Sequence, residues 1–419
     1  MKKNEIKFKL LLCMIFIGMT AHLFSESYQL DNLLDIALKQ SSAVRIENIQ
    51  NEISEKSYNS SLVDFLPDAS YHLSAQDGSL GRIYNSSLSV SKNIYLNDAS
   101  YYNYKKSYIS KKSAALELED KKKEIALSIF SYYTDILLTQ KNVKILKENV
   151  DLQKKTYEQI FIQYQNNKKT IYDLQASQID TLTAITDLLE LEKNLFSKRQ
   201  ELFQILGIQD EGYPFEEIIL DTQLLSSVDF KDNLKIKVSE MNLQKNQYDA
   251  NQSYLNMYPN IYVGYSYSLA VSNHKSDYIF KPSEYNDSYT YGIYFNYPLF
   301  SFLENGIQYR IQKRQTQIME LTHKDLVEQE QVKYQQAVND LNIYQQSYQI
   351  YKQKAELSKT NLEISQKRFE LGVINTLDLD KSRIQYLEAQ LNMNTKYYSL
   401  LKKQQEINYL ISGKVLGKW

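Results

Sequence analysis

The chain is short of the residues that interrupt regular structure. Its 419 residues include 11 glycines and 5 prolines, far below the usual shares of about 7% and 5%. That scarcity excludes a fold rich in loops and favours long uninterrupted elements. The one cysteine, Cys13, falls in an apolar N-terminal run, so a chain trimmed beyond it has no disulfide and no thiol chemistry. Leu12 stands before Cys13 where a lipid-anchored chain needs a small residue. Downstream of residue 25 the histidines are His72, His274 and His323, all isolated, with no HExxH and no nucleophile elbow. Lys414 after Gly413 lacks the upstream glycine of a phosphate loop. These gaps argue against an enzyme, a metal site or a cofactor. Charge of one sign is lacking too. The net charge is -1, and loss of residues 1–25 (four Lys, one Glu) leaves about -4, with no basic surplus for nucleic acid. No apolar run after residue 25 approaches the ~18 residues of a membrane helix.

What is present begins with a leader. Lys2, Lys3, Lys7 and Lys9 precede an apolar run from Leu10 to Met19, followed by small or polar residues through Ala21 and Ser25. This is the pattern of a secretory signal peptide over residues 1–25, too short to span a bilayer of ~30 Å. Tyrosine is abundant, with 36 copies beside one tryptophan. Long helices or membrane-interface strands tolerate that mixture better than a compact enzyme does.

The chain also repeats itself. Tyr164–Leu174 lies over Phe369–Leu379 at an offset of 205 (378 minus 173). The same offset pairs Asp135 with Asp340, Leu152 with Leu357, Ser177 with Ser382 and Leu206 with Ile411. Upstream the offset is 192 (259 minus 67), from Pro67 to Pro259, which fits a longer loop between Ala270 and Asp287. Duplication therefore organises the chain. The first repeat covers 26–207, a joining segment 208–229, and the second repeat 230–419.

Each repeat has the same order. A helical stretch (about 29–64, then 230–257) leads to a pair of strands, then a long helix and a last helix. The strands are expected over about 68–76 and 86–95, then 260–270 and 288–299, and the helical hairpins over 98–206 and 303–412. Heptad seams support the helices: Ile384, Leu387, Leu391, Tyr398 and Leu401; Leu182, Ile185, Leu189, Phe196 and Phe203; Val338, Leu341, Tyr348, Tyr351 and Ala355. A helix of about 68 residues spans ~100 Å, far more than a globular domain needs. Strict alternation supports the strands. Ile261, Val263, Tyr265, Tyr267 and Leu269 oppose Tyr262, Gly264, Ser266 and Ser268. Tyr289, Tyr291, Ile293, Phe295 and Tyr297 oppose Thr290, Gly292 and Asn296, with Tyr294 as the exception. One lipid-compatible face over about 10 residues is the pattern of a transmembrane β-strand, and it also fits a half-buried sheet on a soluble domain.

Closure decides what the strand reading requires. Four strands cannot close, and a barrel without an edge in lipid needs about eight or more. Three chains would supply 12, and a cyclic homotrimer closes naturally. Here the chain resembles the TolC family of outer-membrane channel proteins. The likeness rests on the duplication, the helix–strand–strand–long helix order, the step Tyr297-Pro298-Leu299-Phe300, and the tip Arg368–Leu379, RFELGVINTLDL. That tip is similar to the family's F-x-x-G-x-x-(S/T)-hydrophobic-hydrophobic-Asp-hydrophobic pattern.

The resemblance implies a mainly α fold with β, in which a trimeric 12-stranded β-barrel in the outer membrane continues into a long α-helical coiled-coil tunnel in the periplasm. It implies a passive exit duct for an efflux pump or type I secretion system. Its partners would be a periplasmic adaptor (membrane fusion) protein, an inner-membrane transporter of RND, ABC or MFS type, and outer-membrane lipid. A periplasmic coiled-coil scaffold or adhesin is the alternative, and it leaves the paired strands unexplained. Tyr265, Tyr267, Tyr289, Tyr291, Ile293, Phe295 and Tyr297 are the expected lipid-facing residues. At the tip, Gly372 permits a tight reversal, and Asn375 or Thr376 caps the returning helix. Asn166, Asn167, Lys168, Thr170, Gly372, Val373, Asn375 and Thr376 form the turn and adaptor-docking surface. Asp378 suits the positive end of its helix and falls on the first position of the family's acidic pore constriction; with Asp380, one residue before the second position, it is the expected constriction here. Lys381 occupies the family's second acidic position, and Asn167 takes the glycine position in the first repeat.

Overall fold

A computed structural model describes residues 27–78, 81–94, 99–218, 233–274, 284–297, 299–412 and 415–416. The leader, Pro298 and the joining segment from residue 219 onward lie outside the described residues. The elements in chain order are α1 (Leu30–Gln40), α2 (Ser42–Val63), β1 (Asp68–Gly78), β2 (Gly81–Asn93), α3 (Ala99–Gln165), α4 (Ile171–Leu206), α5 (Leu234–Leu255), β3 (Asn260–His274), β4 (Glu284–Asn296), α6 (Ser301–Glu370) and α7 (Thr376–Ser412). The chain is mainly helical with two antiparallel strand pairs, as expected.

Two local differences have physical reasons. The helix expected over 29–64 is two helices, because buried Ser41 adopts an extended ψ of 123°. Its carbonyl then starts α2 by accepting from the Arg45 N–H at 3.0 Å. Strand β2 begins at Gly81, earlier than the alternation shows, since the Asn and Ser residues there mask the period.

The chain divides into two compact units. A sheet unit comprises Ile46–Glu119 and Leu234–Gln329, and a hairpin unit comprises Met1–Arg45, Asp120–Asn233 and Glu330–Trp419.

In the sheet unit the strands lie in the order β1-β2-β3-β4, all antiparallel. One face is apolar and aromatic: Ala69, Val90, Tyr265 and Tyr291 align across it, and Tyr71, Leu88, Tyr267 and Tyr289 form the next row. The opposite face is polar. Tyr294, which breaks the alternation of β4, is on that polar face stacked against Tyr262, with ring centroids 5.0 Å apart at 14°. It covers a cross-strand pair of glycines, Gly264 and Gly292; a β-carbon on Gly264 would meet Tyr294 Cε2 at 3.1 Å. The helices of this unit run side by side as α2–α3–α5–α6. Lys111 bonds Glu55 (2.9 Å) between the first two, Lys106 bonds Asp249 (2.8 Å) between the middle two, and Asn305 Nδ2 donates to the Asn256 carbonyl (2.6 Å) between the last two.

In the hairpin unit the order is α4–α3–α7–α6. Lys147 pairs with Glu192 (2.8 Å) and Asn394 Nδ2 donates to Asn142 Oδ1 (3.2 Å), while Tyr348 contacts Tyr397. The duplication shows in the ion pairs: Asp135 takes Lys402 (2.6 Å) and its equivalent Asp340 takes the neighbouring Lys403 (3.4 Å). A core of Leu33, Leu34, Ile129, Phe130, Tyr133, Leu202, Phe203 and Leu206 anchors one region of this unit. Over it, the start of the described chain and the joining segment meet in a parallel bridge between Tyr28 and Phe215. The Tyr133 hydroxyl reaches the carbonyls of Tyr28 (2.8 Å) and Glu216 (2.7 Å). Arg199 grips Asp210 with Nε and Nη2, both at 2.6 Å, while lying over the Phe215 ring.

The outer helices of both layers carry exposed apolar stripes. On α6 these are Leu303, Ile307, Ile311, Ile318 and Leu321 in the sheet unit, and Ile343, Ile350, Leu357 and Ile364, seven apart, in the hairpin unit. Helix α2 exposes Ile46, Ile49 and Ile53, and α4 exposes Ile179, Leu182, Leu189 and Phe196. Three residues of the seam read for α4 thus face outward. The helix buries Phe203 of that seam, and beside it Ser177, Ala184, Leu202 and Leu206. The seam read for α6 does face inward, with Leu341 and Ala355 buried.

Replacing Tyr133 with Phe removes the hydroxyl that serves the Glu216 and Tyr28 carbonyls, the latter keeping the Glu216 N–H at 3.1 Å, and is expected to lower stability by about 1 kcal/mol, read from the midpoint of urea unfolding. Burial pushes the Asp210 carboxyl up, but the Arg199 guanidinium and the Gly212 N–H outweigh it and hold the pKa below the usual value. A lowered folded pKa stabilises above the unfolded value of about 3.9. That contribution is lost as pH falls through the folded value. Wild type should therefore lose stability below about pH 4, and Asp210→Asn should show a shallower acid slope.

Candidate functional site

The two reversals that join α3 to α4 and α6 to α7 are built alike. The chain needs a left-handed residue to end each long helix and a cap to begin the next. At the first, Asn167 has φ 56°; its N–H bonds Tyr164 O (2.9 Å) and the Lys168 N–H bonds Gln163 O (2.8 Å). At the second, Gly372 has φ 71°; its N–H bonds Phe369 O (2.9 Å) and the Val373 N–H bonds Arg368 O (2.8 Å). Both are Schellman turns, and they stand 205 residues apart (372 minus 167). Three residues on, each new helix is capped. Thr170 Oγ1 accepts from the Asp173 N–H (3.2 Å) and Asp173 Oδ2 accepts from the Thr170 N–H (3.0 Å), a complete capping box. Asn375 Oδ1 accepts from the Asp378 N–H (2.8 Å), so Asn375 rather than Thr376 is the cap. The Thr376 hydroxyl is enclosed and makes no hydrogen bond among the described residues.

A small core beneath the turns packs both hairpins together. Ile160 comes from α3, Leu362 and Phe369 from α6, and Leu379 from α7, with Leu174, Ile374 and Tyr386 against them. Lys169 Nζ stands 5.9 Å from the centre of the Phe369 ring. The surface of the turns stays open: Leu371, Val373, Leu377, Ile171 and Tyr172 are exposed, and Asn166 Nδ2 is tied back to the Ile162 carbonyl (2.9 Å).

The acidic residues differ in state. Asp173 is held below the usual carboxylate range by the Thr170 N–H and hydroxyl. Asp378 is exposed. Asp380 is engaged by Arg383, one helical turn along α7. Arg383 is only 4% exposed, and burial lowers its pKa to about 10, opposed by the Asp180 charge on α4; it stays charged at neutral pH. Sequence reading passed over Arg383 and Asp180. The available signal was a charged residue four positions after Leu379, on the inward side of α7.

Away from the tip, Tyr265, Tyr267, Tyr289, Tyr291, Ile293 and Phe295 are exposed together on the apolar face of the sheet. Tyr297 follows the end of β4.

Residues 230–413 match the outer membrane efflux protein family. No curated protein sequence matches the chain. Among solved structures, the chain is similar to the CmeC outer membrane channel of Campylobacter jejuni (17% identity, 93% of this chain and 87% of that one, TM-score 0.79). It is likewise similar to VceC of Vibrio cholerae (14%, 92% and 96%, TM-score 0.81). The open-state MtrE outer membrane channel of Neisseria gonorrhoeae gives 16%, 92% and 89%, with a TM-score of 0.77. At these identities the likeness establishes the fold.

Because Gly372 has open space where a β-carbon would go, Gly372→Ala should cost only the left-handed conformation, about 1 kcal/mol. Asn167→Gly should be neutral or stabilising. Hydrogen exchange of the amides at 370–380 and 165–175 reads both locally.

Proposed function

We propose that this chain, whose residues 230–413 carry the outer membrane efflux protein domain, is the outer-membrane exit duct of a tripartite efflux pump or type I secretion system. Cargo passes through it passively, moved by an inner-membrane transporter that a periplasmic adaptor links to the hairpin tip. The observation that carries the reading is one-sided incompleteness in every layer. The sheet has two edge strands, β1 and β4. The helix layers have outer helices whose apolar stripes face no other element among the described residues.

A second copy supplies what each edge lacks. In the sheet unit the β4 and α6 side of one chain is complementary to the β1 and α2 side of the next, strand edge to strand edge; in the hairpin unit the α6 stripe is complementary to the α4 stripe. The surfaces differ, so the contact is head-to-tail, and it closes as a ring when the rotation per copy is a third of a turn. Three copies give 12 strands, enough to close a barrel and leave no backbone edge in lipid. Tyr265, Tyr267, Tyr289, Tyr291, Ile293 and Phe295 would then face the bilayer. The polar face would line the pore.

At the tip, three copies of Asp378 form a cation-attracting constriction, and the exposed turn residues Val373, Leu371 and Tyr172 meet the adaptor. Asp380 adds less, since Arg383 already neutralises it.

Leu357→Glu on α6 or Leu189→Glu on α4 should turn a trimer into monomer in detergent, measured by light scattering. An intact trimer in both variants would sink the seam pairing. In planar bilayers Asp378→Asn should reduce cation-over-anion permeability about two- to threefold, the size of a partly screened charge effect. Asp380→Asn should change selectivity less and destabilise the tip by taking the paired carboxylate from the buried Arg383.

A further inference from the structure

The polar face of the sheet changes its chemistry along the strands. In register, Ser70, Ser89, Ser266 and Thr290 stand in one row, and His72, Ser87, Ser268 and Ser288 in the next. Ser70 and Ser89 share a hydroxyl hydrogen bond at 2.7 Å, as do Ser268 and Ser288. Toward the strand ends that join α5 and α6 the rows give way to Asp68, Ser91, Gly264 and Gly292, and then to Asn93, Tyr262 and Tyr294. Hydroxyls hold water and neutral solutes weakly and carry no charge. Two stacked phenol rings behave differently, because their faces are polarisable and bear a negative quadrupole.

The glycine pair explains why the rings lean as they do, since Tyr294 fills the space that two missing side chains leave. It does not use up the rings. Tyr294 is still 39% exposed. A stacked phenol pair that keeps this much open ring surface suits a planar aromatic cation.

We propose that Tyr262 and Tyr294 form an aromatic binding step in the pore wall, taking planar aromatic cations at the helix-side end of an otherwise hydroxyl-lined lumen. The proposal rests on the channel reading above, in which the polar face lines the pore. In a ring of three chains the pair recurs three times, so a passing solute always has a ring within reach.

Block of the full-length channel by N-methylquinolinium in planar bilayers tests it. The half-blocking concentration should rise about fivefold in Tyr294→Leu and in Tyr262→Leu, the loss expected of one solvent-exposed cation–π contact. Tyr294→Phe, which keeps the ring, should stay within about twofold of wild type. If Tyr294→Leu fails to insert, Tyr262→Leu leaves the Tyr294 cover over the glycines in place and carries the comparison. Unchanged block in the leucine variants would overturn the proposal and leave the tyrosines as glycine cover. A phenylalanine variant as weak as leucine would overturn it too. A wild-type chain that forms no conducting pore would instead remove the channel reading beneath it.

Discussion

An unpaired sheet edge cannot be ignored by the chain that carries it. Each edge strand presents a row of N–H and C=O groups that must bond to water, to another strand or to nothing at a cost. Here β1 and β4 are both edges, and the helix layers repeat the condition with apolar side chains in place of backbone groups. The inner pair of helices in each layer is well partnered, through Lys106–Asp249 in the sheet unit and Lys402–Asp135 in the hairpin unit. The outer helices α6, α2 and α4 are partnered on their inner sides only and expose apolar stripes on the other. A single chain of this kind leaves both sheet edges and its outer apolar stripes uncovered among the described residues.

Much of this was legible in the sequence, for specific reasons. The offset of 205 (378 minus 173) is constant through two long helices and a turn, because an insertion there would break the register of a packed seam. Gly372, and Asn167 in the same place, mark the turns because few residues accept a positive φ. The strands showed through period-two alternation where tyrosines fill one face. Other features were hidden by what periodicity measures. A heptad shows that a stripe exists and not which side of the helix its partner occupies, so Leu182, Leu189 and Phe196 read as an internal seam and lie outside. Tyr294 looked like an error in the alternation until the pairing of Gly264 with Gly292 gave it something to cover. The break at Ser41 had no proline or glycine to announce it.

The tip shows how burial reassigns charge. Asp378 and Asp380 look equivalent in the sequence, two residues apart on one helix. Position on the α7 surface separates them, since Asp378 is exposed and Asp380 lies beside the buried Arg383. A guanidinium this enclosed needs a nearby carboxylate, and Asp380 supplies one within a helical turn while Asp180 approaches from α4. An acid pair has thus become one free charge and one structural ion pair.

The likeness of the two turns has a consequence for symmetry. Backbone hydrogen bonds match residue for residue, so three chains would display six turns of nearly one shape. Their charges do not match: the first turn carries Lys168, Lys169 and Asp173, and the second carries Lys367, Arg368, Glu370 and Asp378. A docking protein would meet six similar knobs of two charge patterns. Shape alone would let it settle in any of six orientations, and electrostatics would halve the choice to three.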